Sequence, residues 1–135
     1  MNHVRLPPTA TLLLACVLES CGSEATAPGG SAAFRIEVSG ESFVIEVTND
    51  ARVAEFESRL SAGVEGVVIG PLLDGDGGFN QPWTWHLDPT EVQTADAAIE
   101  LCDGRPSMVE ADLEYWIDTV GTFCPWGATV TERLR

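Results

Sequence analysis

Four cysteines carry the most definite chemistry in this sequence, and they fall into two pairs. Cys16 and Cys21 stand near the amino terminus, whereas Cys102 and Cys124 lie in the last third of the chain. A thiol at the end of a short apolar segment can be acylated, and a later pair of thiols can form a disulfide in an oxidising compartment. The pairs therefore predict lipid attachment at one end and a covalent cross-link near the other.

The segment that precedes the first two thiols is typical of an export signal. Residues 9–18 are mostly apolar and follow Arg5, but they are too few for a membrane span, which needs about 20 apolar residues. A positive start, a short apolar core and small residues at its end are typical of a cleaved signal peptide. We therefore expect residues 1–20 to be a signal peptide that directs an exported, lipid-anchored protein to the cell envelope.

Two tetrads resemble the lipobox, in which the cysteine thiol takes a diacylglyceryl group and becomes the new amino terminus. The tetrad that ends at Cys16 has the more typical residues, whereas the one that ends at Cys21 comes after an apolar core of full length. Lipidation at Cys21 leaves the two later cysteines as an even pair, but lipidation at Cys16 leaves an odd thiol. We favour Cys21 as the lipidated residue, with Cys16 or plain secretion as the alternatives.

Composition predicts a tether after the anchor and restricts the partners of the protein. Residues 21–33 are small and polar, so we expect a lipidated flexible tether there, and then one domain over residues 34–135. The formal net charge of −14 disfavours nucleic acid and anionic lipid headgroups as partners. A cationic partner, a divalent metal or simple solubility each fits that charge.

The later pair, Cys102 and Cys124, is predicted to form a disulfide. A zinc-binding or nucleophilic role would need a thiolate, which an oxidising compartment removes. Closing such a loop typically stabilises a domain by about 3 kcal/mol.

His86 and Asp88 are the residues whose spacing best suits acid–base chemistry. Two positions apart on a strand, they would share one face, as a base and the carboxylate that orients it do. The sequence places no serine or cysteine nucleophile beside them, and a zinc site would need mostly carboxylate ligands. We therefore expect His86 to be structural, with a hydrogen bond to the turn at Asp88–Pro89, and we predict no catalytic residues.

An acidic, glycine-rich stretch over residues 74–80 is similar to a calcium-binding loop. Asp74 and Asp76 occupy its first and third positions, but Gly78 and Phe79 stand where a ligand and a glycine are required. The stretch fails as an EF-hand. We expect a flexible turn with a weak possibility of calcium binding, and no other cofactor.

Apolar periodicity predicts the elements that position these residues. The predicted elements are a hairpin over residues 34–48, a helix from Asn49 or Asp50 to Gly63, strands at 67–69, 83–87 and 98–102, a loop over 71–82, a second helix from Ser107 to Gly121, and a last strand at 128–134. Ser107 and Glu110 match a capping box at the start of the second helix. Together they predict an α+β fold, with one mainly antiparallel sheet and two helices packed on a face.

The tryptophans are predicted to pack in the core rather than to form a sugar-stacking platform. One strand face and one helix stripe should meet there: Trp83, Trp85 and Leu87 on the strand, and Leu113, Trp116 and Ile117 on the helix. Nothing in the sequence predicts whether Trp126 is buried.

Several short motifs occur in an order that resembles one small domain family. They are residues 43–46, residues 82–89 (PWTWHLDP), Glu100–Asp103, Val109–Glu110 and Cys124–Trp126. The order is similar to that of the family named for the N-terminal part of the slime-mould protein BP-seventy-four, which has many small exported bacterial members. The resemblance covers residues 34–135 and implies no catalytic residues. Some relatives carry a calmodulin-binding label, but a bacterial lipoprotein would not meet calmodulin. Residues 74–78 depart from the family pattern.

These observations predict a membrane-tethered bacterial lipoprotein whose disulfide-stabilised domain binds an unknown envelope protein or small ligand. One alternative is a small exported hydrolase that uses His86 and a carboxylate, and another is a secreted hydrolase inhibitor. An enzyme should gather its polar groups in a concave pocket. A binding domain should instead expose an apolar or aromatic patch.

Overall fold

The computed structural model describes residues 30–135, so the predicted signal peptide, Cys16 and Cys21 lie outside the described residues. In chain order the elements are β1 (Ala32–Val38), β2 (Glu41–Val47), α1 (Asp50–Ala62), β3 (Val67–Asp74), β4 (Trp85–Leu87), β5 (Gln93–Ala95), a 3₁₀ turn (Glu100–Cys102), α2 (Pro106–Ala111), α3 (Leu113–Tyr115), a π-helical turn (Trp116–Val120), β6 (Thr122–Phe123) and β7 (Thr129–Arg133). Short helices alternate with antiparallel strands, which confirms the α+β class. Within this part of the chain, no helix has the length and apolar character of a membrane span.

The strands form two antiparallel sheets, so the prediction of a single sheet is wrong. The first sheet has the order β2-β1-β7, and in the second β3 pairs with β4, β5 and β6. An isolated bridge between Gly66 and Ala128 links the segments that lead into β3 and β7. Apolar periodicity shows which face of a strand is buried but not which strand lies beside it, so two sheets and one sheet leave the same pattern.

The first sheet is built on the predicted hairpin, which the structure confirms. β1 pairs with β2 in register from Ala32 opposite Val47 to Val38 opposite Glu41. Ala32 and Ala33 are fully buried. The sheet therefore begins two residues before Phe34, inside the segment that composition assigned to the tether.

Helix α1 has the two ends that its sequence predicts. The Asn49 side chain accepts a hydrogen bond from the Arg52 amide at 3.2 Å, which caps the first turn. Gly63 ends the helix in the left-handed conformation (φ 61°), which glycine adopts without a Cβ clash. Phe56 is the buried side chain of this helix, and its ring stacks on Phe34 at 5.6 Å. These contacts hold α1 against the first sheet.

The strand boundaries in the second half differ from those predicted. Strand β3 continues to Asp74, through the start of the predicted loop at residues 71–82, because Gly70 and Pro71 pair with β6 while Leu72 to Asp74 pair with β4. Residues 100–102 form a 3₁₀ turn instead of the predicted strand. A stretch of five residues, four of them apolar, is short enough to suit either conformation.

The second predicted helix is interrupted, and its predicted capping box does not form. Pro106 occupies the first helical position, so Ser107 lies inside α2, and its hydroxyl donates to Glu41 at 2.6 Å. Glu110 accepts from the amide and the hydroxyl of Thr84, both at 2.9 Å. The chain leaves helical geometry at Asp112 (φ −145°) before α3 begins. Gly121 ends the π-helical turn, as predicted.

An aromatic cluster joins the two sheets and confirms the predicted core packing. The Trp85 ring lies 5.7 Å from Phe43 and 5.4 Å from Phe123, and the Trp116 ring lies 5.8 Å from Phe123. Leu87 is fully buried in the same core. Three further members of the predicted set are partly buried against it: Trp83, Leu113 and Ile117.

Candidate functional site

His86 is held by the loop that precedes its strand. Its Nδ1 lies 2.7 Å from the Gly75 carbonyl oxygen, and because that oxygen only accepts, Nδ1 carries the proton. The ring packs edge-on against Phe79, with centroids 5.4 Å apart. The predicted hydrogen bond to the turn at Asp88–Pro89 is therefore replaced by one to Gly75.

The Asp88 carboxylate accepts hydrogen bonds from its own turn rather than from His86. Its Oδ1 accepts from the Thr90 hydroxyl at 2.7 Å and from the Thr90 amide at 2.9 Å. These donors, the hydroxyl first, lower the pKa of Asp88 because they stabilise its charged form. His86 is thus bonded to Gly75 and Asp88 to Thr90, and no hydrogen bond joins the two side chains within residues 30–135.

Asp74 and Asp76 both belong to the glycine-rich stretch that resembles a calcium loop, but their side chains have different surroundings. Asp76 accepts from the Gly78 amide at 2.8 Å and from Gln81 Nε2 at 2.9 Å, and these two hydrogen bonds lower its pKa. Asp74 is exposed at the end of β3 and lines a different cleft, beside Leu113. Within residues 30–135, no three His, Cys, Asp or Glu side chains come together as a metal site. Calcium binding stays a prediction.

The region also contains a buried polar side chain that the sequence did not predict. Asn80 is fully buried, and its Oδ1 accepts from the Val44 amide at 2.7 Å while its Nδ2 donates to the Trp85 carbonyl at 2.8 Å. This side chain therefore ties the loop to β2 and β4. Its role is structural, since neither polar end is left for a ligand.

Cys102 and Cys124 lie at disulfide distance, as predicted. Their Cα atoms are 5.0 Å apart, and the Cys124 amide donates to the Cys102 carbonyl at 2.8 Å. Both cysteines are buried. The cross-link joins the 3₁₀ turn to the segment after β6, and it fixes the backbone from which three large apolar side chains project.

Three large apolar side chains close in sequence to the cross-link are exposed, and we call them together the disulfide face: Ile99, Leu101 and Trp126. Their exposed fractions are 68%, 57% and 43%, although each stands within three residues of a buried cysteine. The Trp126 amide donates to Asp103 at 2.8 Å, which fixes the backbone of the tryptophan. Gly127 then turns the chain in the left-handed conformation (φ 68°). The face is thus exposed on a rigid support.

A cavity of about 250 Å³ adjoins the disulfide face. Its lining combines small or apolar groups with two carboxylates: Glu65, Gly66, Val67, Asp96, Ala97, Trp126 and Gly127. The backbones of Gly66 and Ala128 exchange two hydrogen bonds of 2.9 Å beside it, which fixes the segment that carries Glu65 and Val67. An apolar wall with charged groups at its edge is the usual lining of a site that binds one side chain or a small ligand.

Sequence reasoning missed this surface for identifiable reasons. Ile99 and Leu101 belong to an apolar run that predicts a buried strand, but the 3₁₀ turn leaves both side chains in solvent. Glu65 and Asp96 stand in ordinary polar segments, and only folding brings them to one cavity. Trp126 follows Cys124-Pro125, but nothing in the sequence predicts that its side chain is exposed.

Comparison with known proteins identifies a domain family but no individual relative. The family model described as the BP-seventy-four N-terminal domain matches residues 30–135. No curated protein and no solved structure matches this chain.

Proposed function

The chain belongs to the BP-seventy-four N-terminal domain family, and we propose that it is a non-enzymatic binding domain that recognises an envelope protein through the disulfide face. The supporting observation is the exposure of Ile99, Leu101 and Trp126 beside a disulfide-distance cysteine pair. Large apolar side chains that stay exposed on a rigid support are typical of protein–protein contact sites.

The polar groups near His86 support binding over hydrolysis. A hydrolase needs its base, its orienting carboxylate and its nucleophile within reach of one substrate. Here the His86 ring is bonded to Gly75, and the Asp88 carboxylate is bonded to Thr90. Both groups stabilise turns through these hydrogen bonds.

We further propose that lipid at Cys21 anchors the domain to the envelope membrane and that the residues before Ala32 act as its tether. This placement suits a binding domain, because a tether of about ten residues lets the domain search roughly 20 Å of space near the surface. Mass spectrometry of the membrane-extracted protein should show a lipidated amino terminus at Cys21. A peptide that begins at Cys16, or a soluble unmodified chain, would contradict this part of the proposal.

Quantitative affinity purification from detergent-solubilised envelopes of the source cells tests the binding function. The full chain should retain a partner that Ile99→Ser/Leu101→Ser loses. The matched control is Leu73→Ser/Leu134→Ser, since Leu73 and Leu134 are 39% and 40% exposed but lie on β3 and at the carboxyl terminus. The control should retain the partner. A partner set that neither double variant changes would contradict the proposal.

A further inference from the structure

The cavity beside Trp126 indicates what kind of partner the disulfide face fits. We propose, on the premise of the proposed function, that the partner is a protein segment that inserts a lysine or arginine side chain into this cavity. An apolar side chain of the same segment then lies on the disulfide face. The site is therefore specific for a cation next to an apolar group.

The cavity lining matches the two parts of such a side chain. Val67 and Ala97 belong to the lining, and Gly127 presents backbone only, so the aliphatic stem of a lysine or arginine can lie there, while the Arg59 guanidinium packs against Gly66. Trp126 belongs to the lining, and an indole face attracts a cation within about 6 Å of its centre. Trp126 is 43% exposed, so part of this residue is accessible to an incoming side chain.

Two carboxylates line the cavity, and Glu65 is the one with capacity for a further cation, because Asp96 is ion-paired with Arg59. Glu65 is exposed and has no hydrogen-bond or ion-pair partner within residues 30–135. Its Oε2 lies 3.8 Å from the position that a Cβ on Gly127 would take, which places the carboxylate at the edge of the cavity. The fully exposed Asp96 side chain has Arg59 Nη2 at 3.7 Å, a distance longer than a direct hydrogen bond.

The charge around the face complements a basic partner. Glu100 and Asp103 are exposed on either side of Cys102, so carboxylates are neighbours of the apolar side chains in the sequence as well. The whole chain has a formal net charge of −14, which attracts basic segments at long range. Carboxylates at an interface also reject acidic partners, because like charges brought together there are costly.

A second acidic cleft on the domain provides the matched control. It is lined by Asp74, Leu113, Glu114, Ile117 and Asp118 and has a volume of about 310 Å³. Its lining contains carboxylates and aliphatic groups but no tryptophan. Replacing Glu114 and Asp118 removes the same two charges as replacing Glu65 and Asp96, so non-specific attraction changes equally in both variants.

Panning a random dodecapeptide phage library against the immobilised full chain tests the assignment. The chain should enrich peptides that place a lysine or arginine next to an aromatic or aliphatic residue, at least tenfold over the naive library. Glu65→Gln/Asp96→Asn should lose the basic residue from the enriched peptides but keep the apolar one. Glu114→Gln/Asp118→Asn should enrich the same peptides as the unaltered chain.

The outcomes separate this assignment from the proposed function. If the unaltered chain enriches no sequence pattern, the disulfide face is not a binding surface and both proposals fail. If it enriches apolar peptides without a basic residue, or if Glu65→Gln/Asp96→Asn leaves the basic residue in place, only the cation assignment fails. Loss of the basic residue with Glu114→Gln/Asp118→Asn would show that net charge, not this cavity, selects it.

Discussion

The loop around His86 and the disulfide face use their side chains in opposite ways. In the loop, the polar groups bond within the chain: Asp76 to Gly78 and Gln81, and Asp88 to Thr90. At the disulfide face, large apolar groups are exposed, and the nearby Glu65 carboxylate has no ion-pair partner within residues 30–135. The polar residues with acid–base or calcium-loop spacing therefore bond within the fold, whereas Ile99 and Leu101, predicted to lie in a strand, are exposed to solvent.

The largest expected effect is the difference in unfolding free energy between two tryptophan variants, one at a buried position and one at an exposed position. Trp116 is 6% exposed and packs on Phe123, so Trp116→Ala should lower the free energy of unfolding by about 3–5 kcal/mol, as truncations of large core side chains do. Trp126→Ala should lower it by less than about 1 kcal/mol, since surface substitutions are mild. Urea denaturation of both variants measures this. Equal losses would break the comparison.

Removing the cross-link should have the next largest effect. The double variant Cys102→Ser/Cys124→Ser should lose about 3 kcal/mol of unfolding free energy, because the open loop gains freedom in the unfolded chain. It should also weaken partner retention, since Ile99 and Leu101 lose their fixed support. A thermal melt of oxidised and double-variant protein gives the first quantity. Unchanged stability in the oxidised exported protein would show that the cross-link does not form there.

His86 should matter to stability by a smaller amount. His86→Ala removes one hydrogen bond to Gly75 and the edge contact with Phe79, which predicts a loss of about 1 kcal/mol in unfolding free energy. It should leave partner retention unchanged, because the residue lies in the internally bonded loop. Chemical denaturation and affinity purification of this variant are the measurements. Abolished partner retention in a folded variant would place the binding surface at the loop instead.

The smallest predicted effect is a dependence of stability on pH in the acidic range. The pKa of Asp88 is lowered, first by the Thr90 hydroxyl, so Asp88 contributes stability that is fully present above its unfolded pKa of about 3.9. That contribution is lost as the pH falls through the lower folded pKa. Asp88→Asn should therefore flatten the fall in stability below about pH 4, and Thr90→Val should flatten it too. If the unfolding free energy of both variants falls with decreasing pH as steeply as that of the unaltered chain, this account is contradicted.

The sequence predicted local structure better than it predicted surfaces. The hairpin, the ends of α1 and the burial of Trp85 follow from periodicity and capping residues, which act over a few positions. The pairing of β3 with three strands and the contact of Ser107 with Glu41 join distant segments. A single sequence carries no local signal for such contacts.

The same limit applies to the candidate site. The disulfide pairing was predictable because only two cysteines come after Cys21. Asn80 gave no signal, because its partners are backbone groups that meet it only in the folded domain. Glu65 and Trp126 meet at one cavity through the bridge between Gly66 and Ala128, and Asp96 reaches it through the pairing of β5 with β3. Periodicity reveals neither long-range contact.

In-cell photocrosslinking tests the central claim most directly. A benzoylphenylalanine at position 101, on the disulfide face, is compared with one at position 81, in the loop near His86; Leu101 and Gln81 are both exposed. The account predicts a discrete crosslinked protein from position 101 in the envelope fraction and none from position 81. A crosslink from position 81 alone, or from neither position, would contradict the assignment of the disulfide face as the binding surface.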